Sequence, residues 1–252
     1  MFLGEIDEML GDFDEILGIA EEELDGLGAP RGRFTNNTKV QNARNRAKQK
    51  AQRAKQNVGM LANRNAPAWA VAQAMIGQLS PEIQKGIAEK RLQLVDKTIF
   101  SAKQIAGKTF DKLITSSTEK KDGYSNIDKG KLNVGEPFLL TGISLLYGVV
   151  TSANTGKVET STYQTNYEAA VMNGYINMTV ANEIIIHELP LSSFNEKNTS
   201  EPFHFQKLEV PKWIQPEKQI ELELFMPSAA SNSEDNLAVV KVILHGAQVI
   251  KR

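Results

Sequence analysis

The sequence predicts an α+β protein in which a helical N-terminal region precedes an antiparallel β-sandwich folded as a single jelly roll. Apolar residues recur every three or four positions up to about residue 114, and every second position after about residue 131. The later part contains about eight short apparent strands within roughly 120 residues and no helical pattern between them, which is typical of a sandwich or jelly roll. We therefore predict an acidic amphipathic helix at 1–30, a basic and amphipathic helical region at 31–115, a linker at 116–131 and a sandwich domain at 132–252.

Charges in the first third of the chain are sorted by sign, which the net charge of -1 conceals. The ionised residues of 1–30 are all acidic, and those of 29–81 are all basic. Such blocks are typical of interaction arms rather than of the walls of an enzyme pocket. The chain has no cysteine, which excludes disulfides and cysteine-ligated zinc. We expect no export signal, because the start is acidic, and no membrane span, because no run approaches about 20 apolar residues.

The first predicted helix, at 2–27, has one apolar stripe opposite its acids. Helices that lie on membranes usually present Lys and Arg, so this acidic face favours a partner groove or a helical bundle. We expect the stripe to dock between subunits through Phe2, Ile6, Leu10, Phe13 and Leu17. Glycine and proline at 26–32 then predict a hinge.

The second predicted helix, at 39–61, is basic and has only a thin alanine stripe. Two interpretations of its cations stay open: contact with nucleic-acid phosphates, or docking to an acidic helix of the same or a neighbouring chain. No aromatic residue is interleaved with the charges, which does not favour stacking on single-stranded bases. The candidate contact residues are Arg44, Arg46, Lys48, Lys50, Arg53 and Lys55.

Two more helices are predicted before the linker. A short one should bury Trp69, Ala72, Met75, Ile76 and Leu79. The next should begin at the capping sequence of residues 80–82, a serine, a proline at the first helical position and an acid, and continue to about residue 114.

Strands are predicted at 138–150, 157–166, 169–172, 175–180, 183–188, 203–210, 219–226 and 237–250. Asn173 and Gly174 lie between two of these runs and predict a two-residue hairpin turn. In the seventh run, Glu221, Glu223 and Phe225 alternate with aliphatic residues, which predicts one apolar face and one at least partly wet face.

No sequence motif in the chain identifies a catalysed reaction. His187, His204 and His245 lie in three different predicted strands without a second ligand at helical spacing, so hydrogen-bonded structural histidines are favoured over a metal site. Glu221 and Glu223 share a face of one strand, which a hydrolase could use, but alternating Glu is also how a solvated sheet face is built. We expect no enzyme activity, no metal and no cofactor.

Two segments, GEPFLLTGI at 135–143 and VPKWIQPEKQIELEL at 210–224, resemble the β-domain of jelly-roll capsid proteins from small tailless icosahedral bacteriophages. The resemblance covers roughly residues 132–252. It implies a virion structural protein that is assembled in the host cytoplasm and contacts its own copies, other virion proteins and possible packaged nucleic acid. The long helical N-terminal third departs from a minimal shell jelly roll, which leaves open a main-shell, vertex or internal role.

A different class of function is a β-sandwich module that binds a ligand, such as carbohydrate, or a cell-surface receptor. Trp213, Tyr163 and Tyr167 are its candidate stacking platforms. Aromatic residues make up 7% of the chain, which is sparse for that task, and Trp213 between two prolines is also suited to plugging one end of the barrel.

Overall fold

A computed structural model describes residues 68–252 except Thr165 and 196–203. These residues belong to one compact unit, Ala54–Arg252. The described helices are α1 (Ala68–Met75), α2 (Pro81–Ala88) and α3 (Ala169–Met172), with 3₁₀ turns at Ile76–Gln78, Ser152–Asn154, Val158–Thr160 and Leu191–Asn195. The strands are β1 (Leu92–Gln104), β2 (Phe110–Ile114), β3 (Phe138–Val150), β4 (Thr162–Tyr163), β5 (Tyr175–Val180), β6 (Glu183–Pro190), β7 (Phe205–Ile214), β8 (Ile220–Phe225), β9 (Asn232–Ser233) and β10 (Asn236–Lys251).

The strands form two antiparallel sheets. The larger sheet has the order β1-β10-β3-β4, with β7 also on β3 and β9 also on β10, and the smaller sheet has the order β2-β8-β5-β6. The longest ladder pairs β1 with β10 from Leu92 opposite Lys251 to Gln104 opposite Val239. The predicted antiparallel β-sandwich is therefore present. Among the described residues no helix is long and apolar enough to cross a membrane.

The hydrophobic core lies between the two sheets, because alternate residues of each strand point inward. In β10, Val240, Val242 and Leu244 are fully buried in this core, and in the smaller sheet Ile176 and Leu222 face them. A second apolar cluster covers the outer face of the larger sheet at one end. There α1 places Ala72 and Met75 against buried residues of β3 and β10, as the predicted inward face of this helix required.

The fourth predicted helix is wrong beyond Ala88. The start at Pro81 is confirmed, although the Ser80 side chain makes no capping hydrogen bond, but α2 is only eight residues long. The helix ends where Lys90 adopts a left-handed backbone with φ of 60°. The following residues form β1 and β2, because long pairing with β10 and β8 overrides an apolar spacing that fits both periods.

The β-sandwich therefore begins earlier in the chain than the predicted boundary at residue 132. β1 and β2 lie within the segment predicted to be helical, at 31–115, yet each is hydrogen-bonded into one of the two sheets. Residues 116–131, which were predicted to link two domains, instead connect two strands of the same sandwich. The β-body therefore begins no later than Leu92.

Two other sequence assignments are wrong in the middle of the chain. The run 157–166 forms only the two-residue β4 after a 3₁₀ turn, and 169–172 is the helix α3. Gly174 is consequently not in a hairpin turn. It allows a close approach instead, since a Cβ there would lie 2.4 Å from the Phe225 carbonyl oxygen. The two-residue turn lies between β5 and β6, where Ala181 and Asn182 both have positive φ.

The remaining strand predictions are confirmed. β3 and β5 have the predicted bounds, and β6, β7, β8 and β10 differ from them by a few residues at their ends. The predicted acidic helix at 1–30 and basic helix at 39–61 lie outside the described residues.

Candidate assembly surface

Three aromatic side chains form a row across the outer face of the smaller sheet. Phe110 on β2 lies opposite Phe225 on β8, and Phe225 lies opposite Tyr175 on β5. Phe110 is 42% exposed, and the other two rings are half-buried. We call Phe110, Phe225 and Tyr175 the aromatic row. A solvent-facing sheet side is normally polar, so three adjacent aromatic rings there mark an apolar contact surface.

The rings of the aromatic row stack against each other. The Phe110 and Phe225 ring centroids are 4.8 Å apart at an interplanar angle of 48°, and those of Tyr175 and Phe225 are 4.9 Å apart at 12°. These distances match the spacing of neighbouring strands, so each ring contacts the next ring across the sheet.

An ion cluster lies beside the aromatic row on the same face. The Lys112 Nζ lies 3.1 Å from Glu221 Oε2 and 3.0 Å from Glu223 Oε1. Hydrogen bonds to Glu223 and Glu221 raise the pKa of the Lys112 ammonium. The two glutamates that sequence analysis considered as a catalytic pair are thus partners of one lysine on a partly wet sheet face. This geometry supports the prediction of a solvated sheet face.

The predicted contact residues of the N-terminal arms lie outside the described residues. This holds for the docking stripe of Phe2, Ile6, Leu10, Phe13 and Leu17, and for the basic set of Arg44, Arg46, Lys48, Lys50, Arg53 and Lys55. Their roles stay predictions.

The three histidines do not converge. His187 is exposed on β6. His204 is buried, stacks on Tyr167 and places its Nδ1 2.9 Å from the Phe194 carbonyl oxygen. The Nε2 of His245 lies 2.9 Å from the Ser144 hydroxyl, and burial lowers the pKa of this imidazole. Within the described ranges, no three His, Cys, Asp or Glu side chains come close enough to hold a metal ion.

The three aromatic residues proposed as ligand platforms have different surroundings. The Tyr167 side chain is buried, its hydroxyl donates to the Leu145 carbonyl oxygen at 2.5 Å, and burial raises its pKa. Trp213 donates its indole N–H to the Met75 carbonyl oxygen at 3.1 Å and packs beneath α1. Tyr163 is 36% exposed on the two-residue β4. Two of the three platforms are therefore occupied by contacts inside the fold.

Sequence reasoning placed Phe225 on the outer face of its strand but missed the aromatic row. The signal that was present is the alternation of Phe225 with Glu221 and Glu223. The register brings Phe110 and Tyr175 beside Phe225, although they lie 115 and 50 positions from it in the sequence (225 − 110 and 225 − 175), and no local pattern encodes this. No family model, no curated protein and no solved structure matches this chain.

Proposed function

We propose that this protein is a capsid-type virion structural subunit that self-assembles through a single jelly roll and its charged N-terminal arms. The observation that carries the proposal is the strand pairing. Leaving aside the two-residue β4 and β9, the first strand pairs with the eighth, the second with the seventh, the third with the sixth and the fourth with the fifth.

This pairing describes one long hairpin that is rolled into two sheets. The pairs β1–β10 and β3–β7 belong to the larger sheet, and β2–β8 and β5–β6 belong to the smaller one. The contacts β10–β3 and β8–β5 then join successive turns of the roll. An eight-stranded double-sheet arrangement of this kind is used by viral capsid domains, and also by lectins and cupins. The topology supports the jelly roll, while function has to be argued from surfaces.

Two features favour assembly over ligand binding. The aromatic row offers an apolar contact surface on the outside of the sandwich. The first third of the sequence carries separate acidic and basic blocks, which suit contact between copies or with packaged nucleic acid. We accordingly propose homo-oligomers, other virion proteins and nucleic acid as partners, the virion as the location, and a structural rather than an enzymatic role.

Electron microscopy of the purified full-length chain, combined with light scattering at low and high salt, tests this proposal. We expect closed shells, rings or defined oligomers whose population depends on protein concentration. A chain that stays monomeric at high concentration under both salt conditions would contradict the proposal. If that monomer also bound immobilised carbohydrate, the ligand-binding module would replace it.

A further inference from the structure

A cleft opens where the edge of the larger sheet meets the edge of the smaller one. It lies between β1 and β2 beneath the loop that follows β2, and its volume is about 250 Å³. The floor is formed by Ala102 and Leu113. Three charged residues, Lys103, Glu119 and Lys121, also line it. The other lining residues all carry a hydroxyl, and we therefore call this site the hydroxyl cleft; they are Ser101, Thr115, Ser117, Thr118, Tyr124 and Ser125.

The hydroxyls are held in place by contacts with the backbone. Ser101 Oγ donates to the Leu113 carbonyl oxygen at 2.7 Å, and Ser101 is buried. The Thr115 N–H donates to Thr118 Oγ1 at 2.9 Å, so the Thr118 hydroxyl can still donate its own proton. Thr115 Oγ1 likewise accepts from the Ser117 N–H at 2.9 Å.

Other hydroxyls of the cleft already donate to protein oxygens: Tyr124 donates to the Gly156 carbonyl oxygen, and Ser125 donates to the Ile127 carbonyl oxygen at 3.2 Å. Thr115 Oγ1 and Ser117 Oγ share a hydrogen bond of 2.8 Å. The O–H donors left for a ligand are therefore Thr118 and one member of the Thr115–Ser117 pair.

Lysines give the cleft a positive edge. Lys103, a lining residue, places its Nζ 2.8 Å from Asp111 Oδ1, and Lys108 contacts the other oxygen of the same carboxylate. The two ammonium groups of Lys103 and Lys108 share one carboxylate, so this group of three side chains carries a net charge of about +1. Lys121 adds a further positive charge, and its Nζ lies 4.0 Å from the centroid of the Tyr124 ring. Ammonium groups beside Ser and Thr hydroxyls are the donors that oxyanions accept from.

Acidic side chains oppose this charge. Glu159 lies beside the cleft, where the Tyr124 hydroxyl and the Lys121 charge lower the pKa of its carboxyl. Glu119 lines the cleft, and like Lys121 it is exposed, so either residue can be changed without disturbing the core. An anion in the cleft should therefore gain affinity when Glu119 is neutralised and lose affinity when Lys121 is neutralised. This opposition of sign distinguishes anion binding from a purely structural role of the loop.

We propose that the hydroxyl cleft binds a small tetrahedral oxyanion, namely a phosphoryl group held by Lys121, Lys103 and the Thr118 hydroxyl. The phosphoryl group can belong to inorganic phosphate or to a nucleotide. The inference is independent of the proposed function, because a monomer would retain the same cleft.

Calorimetric titration of the full-length chain with inorganic phosphate, and separately with a nucleoside 5′-monophosphate, tests the proposal. We expect saturable binding that Lys121→Gln weakens by about fivefold or more and that Glu119→Gln tightens by about threefold, since both charges are solvent-exposed. Lys120→Gln is the matched control, because it removes the same charge one position away from a lining residue. It should change Kd by less than about twofold.

Several outcomes would overturn the proposal. These are no saturable binding of either compound, equal weakening by Lys120→Gln and Lys121→Gln, or no tightening by Glu119→Gln. Circular dichroism of each variant checks that the fold is retained. The compound that binds more tightly identifies the source of the phosphoryl group: a nucleotide if its base and sugar add affinity, and free phosphate if they do not.

Discussion

Replacing Phe110 by serine tests whether the aromatic row contacts a neighbouring subunit or only stabilises the sheet. Phe110 lies at the edge of the smaller sheet and stacks on Phe225 on one side only. The serine variant loses this ring contact, worth roughly 0.5–1.5 kcal/mol, and the burial of the unexposed part of the ring, about 120 Å² at about 25 cal/mol per Å². Together these losses should lower the free energy of unfolding by about 4 kcal/mol. The assembly assay is therefore run under conditions in which denaturation shows that the variant is folded.

The effect on assembly comes from the exposed part of the ring and is measured separately from folding. Phe110 leaves 42% of its surface exposed in the single chain. If a neighbouring subunit covers this fraction of a side chain of about 200 Å², roughly 80 Å² of apolar surface is removed from water. At about 25 cal/mol per Å² the lost contact corresponds to about 2 kcal/mol. That free energy raises the protein concentration needed for assembly by about thirtyfold.

Light scattering against protein concentration measures the assembly threshold, and chemical denaturation measures folding. Tyr163→Ser is the matched control, because Tyr163 is also a partly exposed aromatic residue, at 36%, but lies on the larger sheet. It should leave the threshold within about threefold of the parent chain. An unchanged threshold for Phe110→Ser, or an equal shift for both variants, would refute the aromatic row as an assembly contact.

Three other predictions concern the body of the sandwich and its arms. Gly246→Ala should destabilise the fold by about 3 kcal/mol or more in denaturation, since the new Cβ would lie 1.7 Å from the Leu139 carbonyl oxygen, whereas Gly77→Ala, with nothing within 4 Å, should be nearly neutral. Burial raises the pKa of the Asp111 carboxyl, but Lys103 and Lys108 lower it more, so its net pKa is below 3.8. The ionised carboxylate should therefore stabilise the fold at neutral pH, and this stabilisation should be lost in acid below 3.8. D111N should abolish that loss in acid titrations followed by fluorescence. Deleting residues 1–61 should retain the strand signal in circular dichroism but stop assembly, and full assembly of the truncated chain would exclude the arms from the mechanism.

Periodicity predicted the strands wherever a strand has one core face and one wet face. In β8, Ile220, Leu222 and Leu224 are buried while the intervening residues are not, and sequence reasoning placed them correctly. β5 alternates in the same way, and its bounds were predicted without error. β3 is buried along most of its length, and its long apolar run bounded by turn residues also predicted a strand.

The same reasoning failed where a segment satisfies both periods. β1 is exposed or half-buried at its first seven positions, so it shows no clean alternation there, and its spacing also fits a helix. The run 169–172 is too short for periodicity to distinguish helix from strand, and it became α3. For β1 the outcome depends on a partner distant in sequence, namely β10.

Both candidate sites meet at β2, the strand that sequence reasoning assigned to the end of a helix. Phe110 and Lys112 point outward to the aromatic row and to Glu221 and Glu223. Asp111 and Leu113 point the other way, to the lysines and the floor of the hydroxyl cleft. A two-residue alternation within five residues thus supplies both surfaces. In a helix these residues would point in several directions around the axis instead of to two opposite faces. The wrong prediction of a helix at β2 therefore left both sites unrecognised. The register of β2 on β8 is therefore the structural element on which the aromatic row and the cleft both depend.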